Sequence, residues 1–430
     1  MSDLPFTLRL YRGGSALLGP LTGLVLRQRA RRGKEEPTRL GERRGESSQR
    51  RPVGRLAWLH GASVGETLSL LPVAERLVQR GLSVLITSGT VTSARLVERR
   101  LPVGAIHQYV PIDVPRYVRR FLDHWRPDLA LIAESELWPN LIVEADKRSI
   151  PMVLVNARMS ERSFQRWQRL LPMISALLAR FDLCLAQTAG DADRLARLGA
   201  PRVDVVGNLK FDAPAPPADP LRVSALTGLI GGRPVWIAAS THPGEEEQIV
   251  AVHGALVQHF PGLLTIIAPR HPNRGEAVAA IATDTGLRTA MRSRGLEPDS
   301  ATDVYVADTI GELGLFYRVA PIVFMGGSLV PHGGQNPIEP GKLGAAILHG
   351  PHVHNFAEVF AALDRDGGSV AVNDAQGLAN ALGRMLADTP RLRAMSRAAA
   401  ETVDQLGGAV ERTVLAVDPF LMHMRLGDRG

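Results

Sequence analysis

Residues 56–67 of the chain read LAWLHGASVGET. The run from Leu56 to Leu59 is short and apolar, which is typical of a buried strand, and Gly61 marks a turn after it. Residues 66–81, ETLSLLPVAERLVQRG, then carry apolar side chains at helical spacing, and Gly81 is a typical helix-ending residue. The stretch therefore predicts a strand, a glycine-containing turn and a helix, which is the repeating unit of a parallel sheet.

The same alternation of strand-like and helix-like segments fills residues 55–212 and restarts over residues 221–430. Between them lies APAPPADP, residues 213–220, which cannot continue a helix or a central strand and predicts an inter-domain linker. The last helical stretch, broken near Pro390, could cross back over both domains. Because apolar strands between helices favour sheets covered on both faces, we expect an α/β protein with two Rossmann-like, doubly wound domains facing a cleft. Ligands should bind at the carboxyl ends of the strands.

Length and composition agree with two soluble domains, since the chain has 430 residues, 45% of them hydrophobic and 22% charged. The formal net charge is +7, and much of the excess lies in residues 27–55, which are rich in arginine. Such a segment could face nucleic acid, anionic lipid or a phosphorylated substrate, or form a solvated connector, which we assign to residues 33–54. The lone Cys184 excludes an intrachain disulfide and is predicted to lie in the core, and no Cys/His spacing predicts a metal site.

Residues 1–32 form a separate segment before the basic connector. Residues 13–26 carry no charge and have arginines on both sides, but they fall short of the roughly 20 residues that span a bilayer. No small-residue cleavage site precedes the arginines, so a removable signal peptide is not expected. We interpret the segment as a membrane-associated helix lying on a lipid surface, and the alternative is an ordinary helix packed on the domain.

The turn GASVG also matches the nucleophile elbow of serine hydrolases, with Ser63 as the nucleophile. Two observations argue against a hydrolase, because no HGGG-type oxyanion run precedes Ser63 and a duplicated α/β layout is not the single hydrolase sheet. In the other interpretation the small residues leave room for a ligand, and Glu66 begins the helix. A carboxylate there is stabilised by the helix dipole, which suits a general base and equally an ordinary N-terminal acid.

Three further polar residues of the first half follow strands. Glu134 and Glu136 end the strand before WPN, where an acid could orient a substrate hydroxyl or cap a helix. Lys210 in GNLKFD is one of few lysines and ends the last strand before the linker. It could contact a phosphate or a carboxylate, or be an exposed lysine at a domain border.

In the second half the polar clusters predict a nucleotide site. Arg270 follows a strand in APRHP and could bind a phosphate, and Gly311 and Glu312 begin a helix whose free N–H groups could hold an anion. Residues 324–341, FMGGSLVPHGGQNPIEPG, predict a strand, a glycine-rich loop and a helix starting near Asn336, with Glu339 placed for ribose hydroxyls. The alternative is a glycine-rich surface loop with a simple cap. A P-loop lysine and a G-x-G-x-x-G turn are both missing, which disfavours an NTPase and a dinucleotide-binding protein. Two Rossmann-like halves with a nucleotide site in the second are the layout of a GT-B glycosyltransferase.

The chain resembles the Kdo transferases (3-deoxy-D-manno-octulosonic acid transferases) of lipopolysaccharide assembly over nearly its whole length. The resemblance rests on ordered motifs, which are WLHGASVGET, ESELWPNLI, VNARMSERS, GNLKFD, STHPGEEE, APRHPNR, DTIGEL and GGSLVPHGGQNPIEP. It implies a GT-B fold and inverting, metal-independent transfer of Kdo from CMP-Kdo to a phosphorylated lipid A precursor of the lipid IVA type. It also implies a place at the cytoplasmic face of the inner membrane, with no cofactor and no nucleic-acid partner.

The resemblance also implies roles for residues of this sequence. Glu66 matches the general base, and Glu134 and Lys210 match positions that stabilise the transition state. The segments that match the CMP-binding positions are Pro269, Arg270, Ile310, Gly311, Glu312, Asn336, Pro337, Ile338 and Glu339. Two other outcomes stay open, namely a GT-B enzyme that uses another nucleotide sugar and a binding protein that has lost activity.

Overall fold

The computed structural model describes residues 4–427, which divide into two compact units. The second unit spans Pro214–Leu406, and the first comprises the residues before and after it. The units divide within the proline-rich run that predicts a linker, between Ala213 and Pro214. The residues from Gly407 onward group with the first unit rather than with the predicted second domain.

The first unit is a seven-stranded parallel sheet with helices on both faces. Its strands are β1 Leu56–His60, β2 Ser83–Ser88, β3 Ala105–Tyr109, β4 Leu129–Ala133, β5 Met152–Ala157, β6 Leu183–Ala186 and β7 Val203–Val205. Its helices are α1 Phe6–Leu18, α2 Thr22–Arg31, α3 Val64–Gln79, α4 Val91–Glu98, α5 Pro115–Trp125, α6 Pro139–Asp146, α7 Glu161–Gln168, α8 Leu171–Leu178, α9 Ala189–Arg197 and, from the end of the chain, α18 Ala409–Gly427.

The second unit repeats this plan with another seven-stranded parallel sheet. Its strands are β8 Val235–Thr241, β9 Leu264–Pro269, β10 Thr289–Met291, β11 Val304–Val306, β12 Ile322–Met325, β13 Ala346–His349 and β14 Ser369–Ala371. Its helices are α10 Pro220–Ile230, α11 Glu246–Leu256, α12 Gly275–Asp284, α13 Leu313–Val319, α14 Ile338–Lys342, α15 Ala357–Asp366, α16 Ala375–Ala387 and α17 Thr389–Leu406. The predicted break near Pro390 falls between α16 and α17.

The strand order reverses once in each sheet, and this reversal sets where a ligand can bind. The orders are β3-β2-β1-β4-β5-β6-β7 and β10-β11-β9-β8-β12-β13-β14. The chain therefore changes direction across the sheet between β1 and β4 in the first unit and between β8 and β12 in the second. Loops that leave the carboxyl ends of these strand pairs diverge and open a crevice. Both predicted doubly wound sheets are confirmed.

Apolar strands that are buried on both faces hold each unit together. All five residues of β1 and all four of β6 are buried, and the latter include Cys184, as predicted. Burial raises the pKa of the Cys184 thiol to about 12, which is consistent with a core residue. Helix α18 contributes Val414 and Val417 to the same apolar cluster as strands of the first sheet.

The N-terminal helices pack on the first unit by one face only. Helix α1 lies against α5, α6 and α8, with Leu8 fully buried. Tyr11 donates a hydrogen bond to Asp113 (3.0 Å), and Arg12 pairs with the buried carboxylate of Glu144 (2.5 Å). These contacts agree with the alternative of a helix packed on the domain. No helix within residues 4–427 is both long enough and apolar enough to cross a membrane.

The basic connector is packed rather than simply solvated. Glu35 is buried and pairs with Arg29 (2.8 Å) and Arg43 (3.2 Å). At Gly45, where φ is +76°, a Cβ atom would lie 2.1 Å from the carbonyl oxygen of Tyr117 on α5. Part of the positive charge of this segment is therefore neutralised within the first unit, and the backbone approaches α5 closely.

Candidate active site

The turn after β1 is a reciprocal helix cap. Ser63 is the N-cap of α3, and its hydroxyl accepts from the main-chain N–H of Glu66 (3.3 Å). The Glu66 carboxylate in turn accepts from the Ser63 hydroxyl (2.7 Å) and from the N–H of Ala62 (2.8 Å). This closely resembles a capping box, which explains locally why an acid stands at this position. The Ser63 hydroxyl thus pairs with a carboxylate that caps the helix, which does not support a serine nucleophile.

The predicted catalytic residues of the first unit come together from distant parts of the sequence. Lys210 donates from Nζ to Oε1 of Glu134 (2.6 Å), although 76 residues separate them. A Cβ atom on Gly65 would lie 3.8 Å from Cε and 3.9 Å from Nζ of Lys210. The first turn of α3, which carries Glu66, therefore lies against the ion pair at the carboxyl edge of the sheet.

Glu134 and Lys210 are held by unusual backbone and a buried amide network. Glu134 has φ +51°, a left-handed conformation that is uncommon for a residue with a side chain. The main-chain N–H of Leu209, next to Lys210, donates to Oδ1 of the buried Asn156, whose φ is +50°. Gln187 donates to the carbonyl of the same Asn156 (2.9 Å). Sequence reasoning missed Asn156, because nothing in VNAR distinguishes a buried polar support from a strand end.

The two acids of ESE have separate partners. Glu136 accepts from the indole N–H of Trp138 (2.6 Å), and its Oε2 lies 3.8 Å from Nε2 of His60. Burial alone would raise the pKa of Glu136, but the nearby His60 ring and the hydrogen bond from Trp138 lower it overall. His60 is fully buried, and its Nδ1 is 3.0 Å from Oγ1 of Thr87. Of these two acids, it is Glu134 that pairs with Lys210, as the predicted catalytic residues require.

One buried carboxylate, that of Glu245, holds two loops of the second unit together, and sequence reasoning missed it. Glu245 is fully buried and accepts four main-chain N–H groups. Its Oε2 takes those of His242 (2.9 Å) and Gly327 (2.7 Å), and its Oε1 takes those of Ser328 and Leu329 (both 3.0 Å). Glu245 thus ties the loop after β8 to the glycine-rich loop after β12. Glu245 lies in the motif STHPGEEE, but the sequence does not show which of the three adjacent acids is buried and holds the loops.

The residues predicted to bind the nucleotide stand at the ends of three loops of the second unit. Pro269 ends β9, and the exposed Arg270 follows it and donates its main-chain N–H to Thr241 (3.0 Å). Ile310 is 87% exposed, and Gly311 next to it has φ +83°. The Glu312 carboxylate, which precedes α13, is paired with Arg292 (3.1 Å) and Arg222 (2.7 Å).

The short helix α14 begins at Ile338, two residues after the predicted start. Asn336 accepts from the main-chain N–H of Ile338 (3.1 Å), and Pro337 occupies the cap position. Asn336 also donates to Glu339 (3.4 Å), and burial raises the pKa of that carboxyl. Within residues 4–427 no group of three or more His, Cys, Asp or Glu side chains is arranged to hold a metal ion. Metal-independent chemistry stays a prediction.

The fold and the polar strand ends together define a class of protein. The chain is similar to a crystal structure of a glycosyltransferase from Rickettsia africae, with a TM-score of 0.59 and 12% identity over 86% of this chain and 99% of that one. Such a likeness establishes the architecture, which is the two-domain α/β fold of GT-B-like glycosyltransferases.

Sequence comparison then identifies the family within that class. The family model of 3-deoxy-D-manno-octulosonic-acid transferase (Kdo transferase) matches residues 38–213. A probable mitochondrial 3-deoxy-D-manno-octulosonic acid transferase of Arabidopsis thaliana is 39% identical over 84% of this chain and 83% of its own length. The 3-deoxy-D-manno-octulosonic acid transferase of Bordetella pertussis is 37% identical over 94% and 97%. The chain belongs to the Kdo transferase family and is a glycosyltransferase, which confirms the predicted resemblance.

Proposed function

We propose that the protein transfers Kdo from CMP-Kdo to a phosphorylated lipid A precursor of the lipid IVA type, with inversion and without a metal ion or other cofactor. Membership of the family supports the sugar, and the polar edge of the first unit supports the chemistry. The observation that carries the proposal is the Lys210–Glu134 ion pair beside the first turn of α3.

In this proposal Glu66 is the general base. A carboxylate has about four lone-pair sites, and the Ala62 N–H and the Ser63 hydroxyl occupy two of them. An acceptor hydroxyl can donate to a remaining site and give its proton to Glu66 as its oxygen attacks the anomeric carbon of Kdo. The bond from that carbon to the phosphate oxygen breaks, and CMP leaves with the electron pair. Lys210, held by Glu134, supplies positive charge close to the reaction.

The second unit would bind the cytidine nucleotide. Arg270 is exposed at the end of β9 and can pair with the phosphate. The main chain of residues 310–312 offers N–H groups just before α13. At the start of α14 Pro337 has no N–H and that of Ile338 is donated to Asn336, so the Asn336 side chain is the group that would meet the nucleotide there. The largely buried Glu339 would take the ribose hydroxyls.

Release of CMP from CMP-Kdo with a tetra-acylated lipid A acceptor tests this function. We expect Glu66→Gln to lose about 10²-fold or more in turnover, because general-base catalysis contributes about 10²–10⁴-fold. Ser63→Ala is the matched control. It removes a donor to the same carboxylate and about 1 kcal/mol of helix-cap stability, but it keeps the base.

Two results would count against the assignment. An active Glu66→Gln protein with an inactive Ser63→Ala protein would show that the base is wrong. If the wild-type protein does not react with CMP-Kdo but transfers the sugar of a UDP-sugar, the donor is a different nucleotide sugar.

We also propose that the protein lies at the cytoplasmic face of the inner membrane, and the N-terminal helices support its contact with a lipid surface. Apolar side chains cover the side of this segment that does not pack on the first unit, and they are Phe6, Leu10, Leu17, Leu18, Leu21, Leu24 and Val25. Leu17 is 82% and Leu24 65% exposed. Arginines such as Arg27 and Arg31 stand beside them and can meet anionic headgroups. An amphipathic helix of this kind lies in the lipid interface without spanning it.

Sedimentation with vesicles that contain phosphatidylglycerol tests the membrane contact. A Leu17→Asp/Leu24→Asp double variant should bind the vesicles much more weakly than the wild type. Val103→Asp is the matched control, because Val103 is as exposed but lies outside the segment. Equal binding by all three proteins would refute the contact, whereas transferase activity on a detergent-dispersed acceptor should survive in each.

A further inference from the structure

Two histidines meet at the switch point of the second sheet. His242 directly follows β8, and His332 lies in the glycine-rich loop that follows β12, the strand next to β8 in the sheet. Their rings stack with centroids 4.2 Å apart and planes inclined by 20°. The pair therefore stands where the two loops diverge, which is the place at which doubly wound sheets bind ligands.

The surrounding loop holds the pair in a defined geometry. Nε2 of His242 lies 3.2 Å from Nε2 of Gln335, so that the amide donates and the neutral imidazole carries its proton on Nδ1. At Gly327, where φ is +68°, a Cβ atom would come within 3.2 Å of the His242 ring and 3.4 Å of His332 Cβ. A glycine is thus required beside the pair, and Glu245 fixes the main chain of both His242 and Gly327.

Basic side chains surround the pair. His271 packs edge-on to His242, with ring centroids 6.2 Å apart, and Arg270 and Arg274 lie on the same loop after β9. Burial first, and then His332, His271 and the two arginines, lower the pKa of His242 to about 4. The facing acids already have partners, since Glu246 pairs with Arg274 (3.2 Å) and Glu245 with main-chain N–H groups. The positive charge of Arg270 beside the neutral imidazole of His242 therefore favours an anion at this place.

We propose that His242, His332 and Gln335 form a subsite for an anionic oxygen group of the donor. This inference rests on the proposed donor, CMP-Kdo, which carries two such groups, the phosphate of CMP and the carboxylate of the sugar acid. Imidazole N–H groups can donate to either. The subsite would add hydrogen bonds to the charge supplied by Arg270, and it would place the anion at the crevice between the loops after β8 and β12.

Equilibrium binding and kinetics of the full-length protein test the subsite. The probes are cytidine, CMP and CMP-Kdo, and the variants are His332→Ala and His242→Asn. His332 is exposed, so its replacement leaves the core intact. His259→Ala is the matched control, because His259 is an exposed histidine of the same unit that follows α11, toward the amino ends of the strands. Loss of a hydrogen bond to a charged group predicts an affinity about tenfold weaker or more.

The pattern across the three probes identifies the group that is bound. Weaker binding of CMP with unchanged binding of cytidine assigns the subsite to the phosphate. Unchanged binding of CMP with about a tenfold higher KM for CMP-Kdo assigns it to the sugar carboxylate. If both variants match His259→Ala for every probe while the wild type transfers Kdo, the subsite is refuted and the proposed function stands. A wild type that binds no cytidine ligand overturns both.

Discussion

The Glu245→Gln substitution tests whether one carboxylate organises the donor side of the second unit. The change keeps the size of the side chain and replaces one carboxylate oxygen by an NH₂ group. In the wild type Oε1 and Oε2 each accept two main-chain N–H groups. Whichever way the amide turns, its nitrogen faces two N–H donors and cannot accept from them. Two buried donors are left without a partner.

The magnitude follows from that count. An unsatisfied buried donor costs about 1–3 kcal/mol, so two of them cost about 2–6 kcal/mol. For a unit of this size each kcal/mol lowers the melting temperature by about 2–4 °C, which gives a decrease of roughly 4–24 °C for the second unit. The loop around Gly327 should loosen first, because three of the four donors are residues 327–329.

Calorimetry and hydrogen exchange of the full-length protein measure these effects separately. Two compact units need not unfold in one transition, so the amide protection of residues 327–329 is followed together with the melting of the second unit. Glu247→Gln is the matched control, because Glu247 is an exposed acid two residues further on, in the first turn of α11, and such changes cost within about 0.5 kcal/mol. Identical melting and protection in the two variants would refute the role of Glu245.

Three further predictions concern the first unit. Lys210→Ala should change stability by less than about 1 kcal/mol, because its side chain is 42% exposed, yet it should strongly reduce CMP release; a large loss of stability in thermal unfolding would contradict this. Arg12→Ala should weaken the docking of α1 by about 1.5–3 kcal/mol, seen as faster hydrogen exchange in residues 6–18, whereas the exposed Arg9→Ala should not. The Arg12→Ala effect should shrink in acid. Burial would raise the pKa of Glu144, but Arg12, Lys147 and Arg148 lower it overall. The pair therefore stabilises fully above the ordinary pKa of a glutamate, and this contribution is lost as pH falls through the lower folded value; an effect that grows in acid would refute the assignment.

The sequence predicts the sheets well where strands are continuously apolar and poorly where polar side chains are buried. The run LAWLH is buried throughout, and its strand follows from hydrophobicity alone. Strand β3, AIHQY, is not predicted from hydrophobicity, because its buried residues His107 and Gln108 are polar. His107 lies 2.9 Å from the Ser88 hydroxyl, and Gln108 accepts from the indole of Trp125 (2.8 Å). These partners are distant in sequence, so the periodicity of the segment cannot reveal them.

The candidate site shows the same limit. Glycine-rich turns and acids at strand ends correctly mark the polar edge of each sheet, because parallel strands bring their carboxyl ends to one edge. The sequence does not distinguish an acid that faces a ligand from one that holds a loop. Glu134 and Glu136 stand two residues apart and have different partners, and Glu245 is one of three adjacent acids. Burial and geometry separate them, and both arise only in the folded chain.

Backbone strain provides an independent argument for where the chemistry lies. Five residues other than glycine have positive φ in the part of the chain that the structure describes, and Arg126 and Ser149 follow helix ends. The other three, Glu134, Asn156 and Ser240, stand at the carboxyl ends of β4, β5 and β8. Such conformations cost about 1–3 kcal/mol each and persist where the surrounding structure fixes them. Glu134 and Asn156 position the Lys210 pair, and Ser240 lies two residues before His242. The strain therefore concentrates at the same edges as the proposed base, ion pair and anion subsite, which apolar packing alone does not require.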